Sequence, residues 1–310
     1  MRGLFDGHSS ATTYPSDVSL LYAYFPCFTQ DRERPREQLR ERISLVLRRS
    51  LNSVNSPGGV EPGIEVEKLI SLFWHHFGEG DLFRRGAILE ALGKAWCEYR
   101  ALDYRSTTIV FKETSQAIYF EELKTDFSSL QMIHVLRDPR DNYAALKAGV
   151  RNYYARLGEG ELETLASLIN RCRMDMMTAT VNSQLHPDSF LAIKFEDLVR
   201  QPKAALDRIC QFLGWEFQQV MLSPTRLGLA TSGNSHEGRS FQDIDSSHAD
   251  AWRGRISADE AKVIEYWCER EMRDWGYEPE FSASERQNAF AHFYAWYNCR
   301  YFYSDSFGRP

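Results

Sequence analysis

The sequence has no C-x-x-C pair. Its six cysteines, at 27, 97, 172, 210, 268 and 299, are scattered singly, which argues against a zinc ribbon or a dithiol redox site. Cys97, Cys172, Cys210 and Cys268 fall in helical patterns, where a reduced cysteine behaves as a small apolar residue and suits a cytoplasmic protein. Long apolar runs are missing too. No uncharged run outlasts Val18–Gln30, which is too short to span a bilayer and is broken by Pro26. The first residues, MRGLFDGHSS, hold no signal-peptide core. Basic residues are not in excess: 37 Lys and Arg stand against 43 Asp and Glu, for a net charge of −6. General phosphate-backbone binding needs a basic surface, so no nucleic-acid partner is expected. A local basic pocket for one small anion stays open.

What is present is a globular composition, 43% hydrophobic and 26% charged over 310 residues. That is enough chain to bury a sizeable core without disulfides or a structural metal. The stretch 31–49 holds seven arginines and four acids, with Leu39, Ile43 and Val46 at helical spacing, so it reads as an amphipathic helix. A loop rich in Ser, Asn, Pro and Gly (50–63) precedes helical patterns at 65–77 and 84–103. Then the period changes. TTIVF (107–111), QMIHVL (131–136) and SFLAIKF (189–195) are short β-branched or aromatic runs, followed by helix-like segments at 116–127, 139–149 and 202–213. EDLVRQ (196–201) reads as a short connection before the third. Further helices are predicted over 161–185 and 257–275, the last closed by Gly276. Strands alternating with helices predict an α/β domain with a parallel sheet. Residues 222–250, rich in Ser, Gly and Asn, are too long for a plain connector and read as a lid or binding element.

Chemistry concentrates in MIHVLRDPRDNYAALKAG (132–149). An apolar strand ends at Leu136, and Arg137 stands at its carboxyl edge. Asp138 is placed to cap the next helix, Pro139 suits its first position, and Asp141 completes a capping-box-like spacing. Ligands of open α/β sheets bind beyond the carboxyl ends of the strands, where an arginine beside a helix N-terminus is a natural phosphate ligand. On spacing alone, an ion pair of Arg137 with Asp138 or Asp141 is an equal reading. His134 alternates into mid-strand and is read as core. The tail gathers eight aromatics between Phe290 and Tyr303. Phe290, Tyr294, Tyr297 and Tyr301 share a helical stripe, which predicts packing on the domain or, if exposed, a dimer contact or acceptor site.

The strand, R-D-P-R-D and helix unit resembles the 3′-phosphate-binding segment of sulfotransferases that use 3′-phosphoadenosine 5′-phosphosulfate (PAPS). FLAIKFEDLVRQPKAALDRICQFLGWEF (190–217) is similar to that family's strand, E-D-L turn, Pro and F-L-G helix in order. FKETSQAIYFEEL (111–123) resembles its K-T/S-P segment, and ADAWRGRISADEAKVIEYWCEREMRDWGYE (249–278) its closing W-R helix ending in G-Y. LFDGHSSATTYPSD (4–17) resembles the L-D-G-H-P…P-x-E stretch that follows the family's phosphate loop. The resemblance implies a three-layer α/β/α, nucleotide-kinase-like fold with a short parallel sheet. It divides the chain into a sulfotransferase-like domain over 1–280 and an aromatic-rich tail over 281–310. The implied activity is transfer of a sulfonate from PAPS to a hydroxyl on a carbohydrate, lipid, small molecule or protein tyrosine, without a metal.

Residue by residue, the resemblance makes Asp17 the base that takes the hydroxyl proton, an Asp where Glu is commoner. Read bare, Asp17 is a surface residue in a turn after Pro15. His8 is a weaker candidate for the same role and is read as helix-terminal packing. Lys112 supports the transfer or is a solvated strand-end lysine. Arg137 and Arg253, with Gly254, hold the 3′-phosphate, while Trp252 packs. Ala145 stands where the family has a phosphate-binding Ser, a difference of one neutral hydrogen bond, roughly 0.5–1.5 kcal/mol. The family's first strand and its G-x-x-R/K-S-G-T-T loop do not precede Leu4 in these residues. The expectation is therefore a sheet with an unpaired edge and little transfer by the chain as given. A homodimer through that edge or through the aromatic tail is a further expectation. A sulfotransferase-like binding or scaffold protein without catalysis is the alternative; a small-molecule kinase fits less, because no Walker G-K-S/T occurs.

Overall fold

Two pairs of parallel strands form the centre of the fold in a computed structural model of the chain. The structure describes residues 1–18, 20, 33–52, 63–114, 116–150, 160–230 and 244–303. Strand β1 (Ala11–Asp17) pairs with β2 (Thr108–Lys112), and β3 (Met132–Leu136) with β4 (Phe190–Lys194). Parallel partners need a crossover between them, and helices supply it. From β1 to β2 the chain runs through α1 (Arg36–Asn52), α2 (Val66–Phe77) and α3 (Arg85–Tyr99). From β3 to β4 it runs through α5 (Pro139–Val150) and α6 (Glu161–Leu185), with α4 (Phe120–Asp126) preceding β3. After β4 come α7 (Phe195–Arg200), α8 (Pro202–Leu213), the small hairpin β5 (Thr225–Arg226) and β6 (Leu229–Ala230), α9 (Ala258–Asp274) and α10 (Ala283–Tyr303).

Side-chain alternation on β4 divides the layers. Phe190 and Ala192 join a cluster with Leu168 and Met176 of α6 and Ile264 and Cys268 of α9. Leu191 and Ile193 face the opposite cluster, with Leu206 and Ile209 of α8 and with Leu4 and Phe5. A third cluster packs Ile43, Phe73, Leu92 and Trp96 of α1–α3 against Tyr14 of β1. Each such fully buried side chain is worth roughly 1.5–3 kcal/mol. The α/β class predicted from sequence is the class observed. Its sheet is two pairs: among the described residues β2 pairs only with β1, and β3 only with β4.

Two elements depart from the sequence reading. Residues 11–17 are a strand, although Pro15 offers no N–H to a ladder. The register slips around it: Thr13 partners Val110 but Asp17 partners Lys112. Proline is tolerated at such an irregularity. Residues 196–201, read as a connection, belong largely to helix α7, whose Glu196 is buried by the partners described below.

Glycine ends the two helices that lead into the site. Gly214 and Gly276 both have φ of 70°, and the N–H groups of Trp215 and Tyr277 return to the carbonyls of Cys210 and Met272 at 2.8 Å. The tail helix α10 lies against α9, with Phe293 buried and Phe290 stacked on Tyr266 and Trp267 at 4.6 and 5.3 Å. Its inward face is Ala289, Phe293 and Trp296 with Phe290, while Tyr294 points outward. Cys97, Cys172, Cys210 and Cys268 are free and buried; Cys27 lies outside the described residues. No helix among the described residues is long and apolar enough to cross a membrane.

Candidate functional site

The parallel register places Asp17 opposite Lys112 at the carboxyl ends of β1 and β2. Lys112 Nζ donates to Asp17 Oδ2 at 2.5 Å, with both side chains about 30% exposed. Arg2 Nη1 lies 3.7 Å from the other carboxylate oxygen. Ser50 Oγ donates to the Asp17 carbonyl at 2.5 Å and so ties the strand end to α1. The result is a carboxylate flanked by two cations at the strand ends, still reached by solvent, where the cations can also meet a neighbouring anion. The sequence reading offered Lys112 as a group that orients the base or bonds the transferred group; the register slip at Pro15 sets it opposite Asp17. Arg2 carried no motif signal.

Arg137 follows β3 and is half-buried. Its Nη2 donates to the His248 carbonyl at 2.8 Å, its guanidinium lies 4.7 Å over the Phe195 ring, and its buried Nε meets no acceptor among the described residues. Burial pulls its pKa down, opposed by Asp141 and Glu196 and reinforced by the like charge of Arg255. Neither predicted carboxylate, Asp138 or Asp141, hydrogen-bonds to it; they are held elsewhere.

Asp138 caps α5, accepting from the Arg140 N–H at 2.8 Å, and it chelates the Arg140 guanidinium. Arg140 reaches on to Glu265 at 2.7 Å, an ion pair with both members buried. Burial works against that guanidinium's charge, but Asp138 and Glu265 hold its pKa up. The capping box expected from Asp141 is not formed. The Asp138 N–H goes instead to Glu196 Oε1 at 3.0 Å, and Glu196 Oε2 accepts from the Tyr277 hydroxyl at 2.7 Å. Asp141 accepts from the Asp250 N–H at 2.6 Å, and burial raises its pKa against the pull of Arg137. These contacts join R-D-P-R-D, E-D-L and the closing G-Y into one buried polar network behind Arg137.

The W-R-G-R turn divides its arginines. Arg253 is ion-paired with Glu280 and lies 4.7 Å over the buried Trp252 ring. Gly254, with φ of 80°, turns the chain. Arg255 Nη1 then donates to His248 Nδ1 at 3.2 Å. No contact among the described residues joins Arg253 to Arg137, whereas Arg255, unmarked by the sequence, lies beside it. Trp252 packs between Arg253 and Arg140, each at 4.7 Å. His8 is buried and stacked on Trp215 at 4.9 Å. Its Nε2 donates to the Glu216 carbonyl and its Nδ1 accepts from the Ser10 N–H, so both ring nitrogens are engaged in packing the turn. Ala145 sits half-buried on α5.

This helix-flanked, parallel α/β fold has known relatives. A solved structure described as the sulfotransferase domain from the curacin biosynthetic pathway superposes with a TM-score of 0.53 at 20% identity, covering 89% of this chain and 92% of that one. The sulfotransferase domain from the Synechococcus PCC 7002 olefin synthase is more distant, with a TM-score of 0.45 at 16% identity over 66% of this chain and 74% of its own. The family model described as "Sulfotransferase family" matches residues 24–219. The chain belongs to the sulfotransferase family.

Proposed function

We propose that the protein transfers a sulfonate from PAPS to an acceptor hydroxyl, and that the Asp17–Lys112 pair at the strand ends is the observation that carries this reading. PAPS supplies the sulfonate and a leaving adenosine 3′,5′-bisphosphate. Asp17 accepts the proton of the acceptor hydroxyl as its oxygen bonds to sulfur and the bond from sulfur to the bridging 5′-phosphate oxygen breaks. Lys112 sets the carboxylate's orientation and offers positive charge beside the reacting groups. Arg137 fits a phosphate ligand: it is half-buried, with a buried Nε that lacks an acceptor among the described residues, at a strand end beside a capped helix. Arg253, on the turn made by Gly254, reaches the same anion only by releasing Glu280. Residues 1–280 would form the transfer domain, with the helix from Ala283 as its packed tail.

Labelled PAPS with a panel of carbohydrate, lipid and phenolic hydroxyls tests the reading. Asp17→Asn should keep adenosine 3′,5′-bisphosphate binding and lower transfer roughly a hundredfold or more, the usual range for a general base. Nucleotide binding by the wild type without transfer to any hydroxyl would favour a binding or scaffold role. Transfer undiminished in Asp17→Asn would remove the base.

A further inference from the structure

Helix α6 buries Leu165, Leu168, Cys172 and Met176 against β3, β4 and α9, and a surface helix of this kind turns polar residues outward. Midway it does so, with Ser167, Asn170 and Arg171 exposed. Beyond Asp175 it does not. Met177, Val181 and Leu185 recur at four-residue spacing along the outward face and are 49%, 51% and 65% exposed. Ile118 is 50% exposed beside them, since the Asn182 side-chain amide on the same helix donates to the Ala117 carbonyl at 2.8 Å. No Asp, Glu, Lys or Arg falls between Asp175 and Asp188. Apolar side chains exposed singly are ordinary, but a contiguous uncharged patch marks an interaction surface.

We propose that this stripe joins two copies of the chain, their α6 helices crossing antiparallel about a two-fold axis at Val181. The occupant follows from the pattern. Met177 and Leu185 lie four residues to either side of Val181, so an antiparallel copy sets Val181 on Val181 and Met177 on Leu185. The charges at the two ends agree. Arg171 is exposed at one end of the stripe and Asp188 at the other. An antiparallel copy brings each Arg171 to within about one helical turn of the other copy's Asp188, a gap an arginine side chain spans. A parallel copy sets like charges on each other. Arg173 on the flank is held by Glu271, and Glu121 is ion-paired with His186. This face is neither a sheet edge nor the tail helix. Four half-exposed side chains fall short of the roughly 800 Å² per partner of a stable interface, so the pair should form reversibly in the micromolar range.

Sedimentation equilibrium of the full 310-residue chain tests this. The wild type should pass from monomer to dimer as its concentration rises through the micromolar range. Val181→Glu sets two carboxylates at the axis and should weaken the dimer about tenfold or more. Its circular dichroism should stay unchanged, because the side chain is already half exposed. Arg171→Glu should weaken the dimer as well, and adding Asp188→Arg should restore it, since the reversed charges meet again across an antiparallel pair. In a Cys299→Ser background, oxidised Val181→Cys should give a disulfide-linked dimer. Met177→Cys and Leu185→Cys should each fail alone and cross-link when mixed. A chain that is monomeric at every concentration overturns the proposal and leaves the stripe to an unlike partner. A dimer that survives Val181→Glu also overturns it, by placing the contact on another face. Failure of Asp188→Arg to restore the Arg171→Glu dimer, or of the mixed cross-link to form, overturns the antiparallel arrangement. Arg171 and Asp188 are both exposed, so the charge reversal decides the matter even if Val181→Glu folds poorly.

Discussion

His134 stands in the middle of β3 with its ring stacked near Phe190 at 6.0 Å and its Nε2 buried without an acceptor. Burial alone lowers its pKa to about 4. Above pH 6.5 the ring is neutral in both folded and unfolded chains, so its contribution to stability is fully present. As the pH falls from 6.5 toward 4, the unfolded chain takes up a proton that the folded one refuses, and stability drops. The loss approaches about 3 kcal/mol at the lower end. Urea midpoints measured between pH 7 and 4.5 should fall more steeply for the wild type than for His134→Leu, which removes the titrating group and keeps an apolar side chain. Parallel curves would show that His134 carries its proton without penalty. The core placement was legible in the sequence, because alternation along MIHVL puts His134 on the same face as Met132. Arg255 was not, since it stands beside Arg137 and no spacing in the sequence links the two.

At the scale of single elements, strand and helix periods were readable, and contacts between distant motifs were not. The helix over 161–185 and the helix over 202–213 follow from their apolar spacing. Strand β1 does not, because Pro15 disguises it and only the partner strand shows that the ladder slips past. Helix α7 was hidden for a different reason: six residues hold too little period, and its fixing contacts come from Asp138 and Tyr277, far away in sequence. Glu196 makes both of those contacts while buried at 3% exposure. Glu196→Ala strands two buried donors, each costing roughly 1–3 kcal/mol. Removing the Tyr277 hydroxyl as well leaves one donor fewer to strand. Glu196→Ala should therefore lower unfolding free energy by about 2 kcal/mol or more, and adding Tyr277→Phe should cost less than the two single losses summed. Strict additivity in that double-mutant cycle would mean that the hydroxyl and the carboxylate are not coupled.

For the whole molecule, the arrangement of strands sets where the fold is weakest. Strands β2 and β3 supply Val110, Ile133 and Val135 to one shared apolar cluster with Leu4 and Phe5, so they line the same layer. Yet β2 bonds only to β1, and β3 only to β4, among the described residues. None of the residues from Thr108 to Phe111 or from Met132 to Leu136 is fully buried except Leu136, whereas β1 buries Thr13 through Ser16 and β4 buries Phe190, Ala192 and Ile193. Strands β2 and β3 are thus the more open member of each pair. Successive backbone groups of a strand point to opposite edges. Half the amides in β2 and β3 are accordingly held by their partner, and half face away from it. Hydrogen exchange followed by NMR at low micromolar concentration should alternate between slow and fast along 108–112 and 132–136, while the paired amides of β4 exchange slowly. A rise in the fast amides' protection with protein concentration would mean that copies of the chain pair through these edges. Uniform slow exchange at every concentration would show that the second edges of β2 and β3 are already paired within the molecule, and would remove the open layer as the limit on its stability.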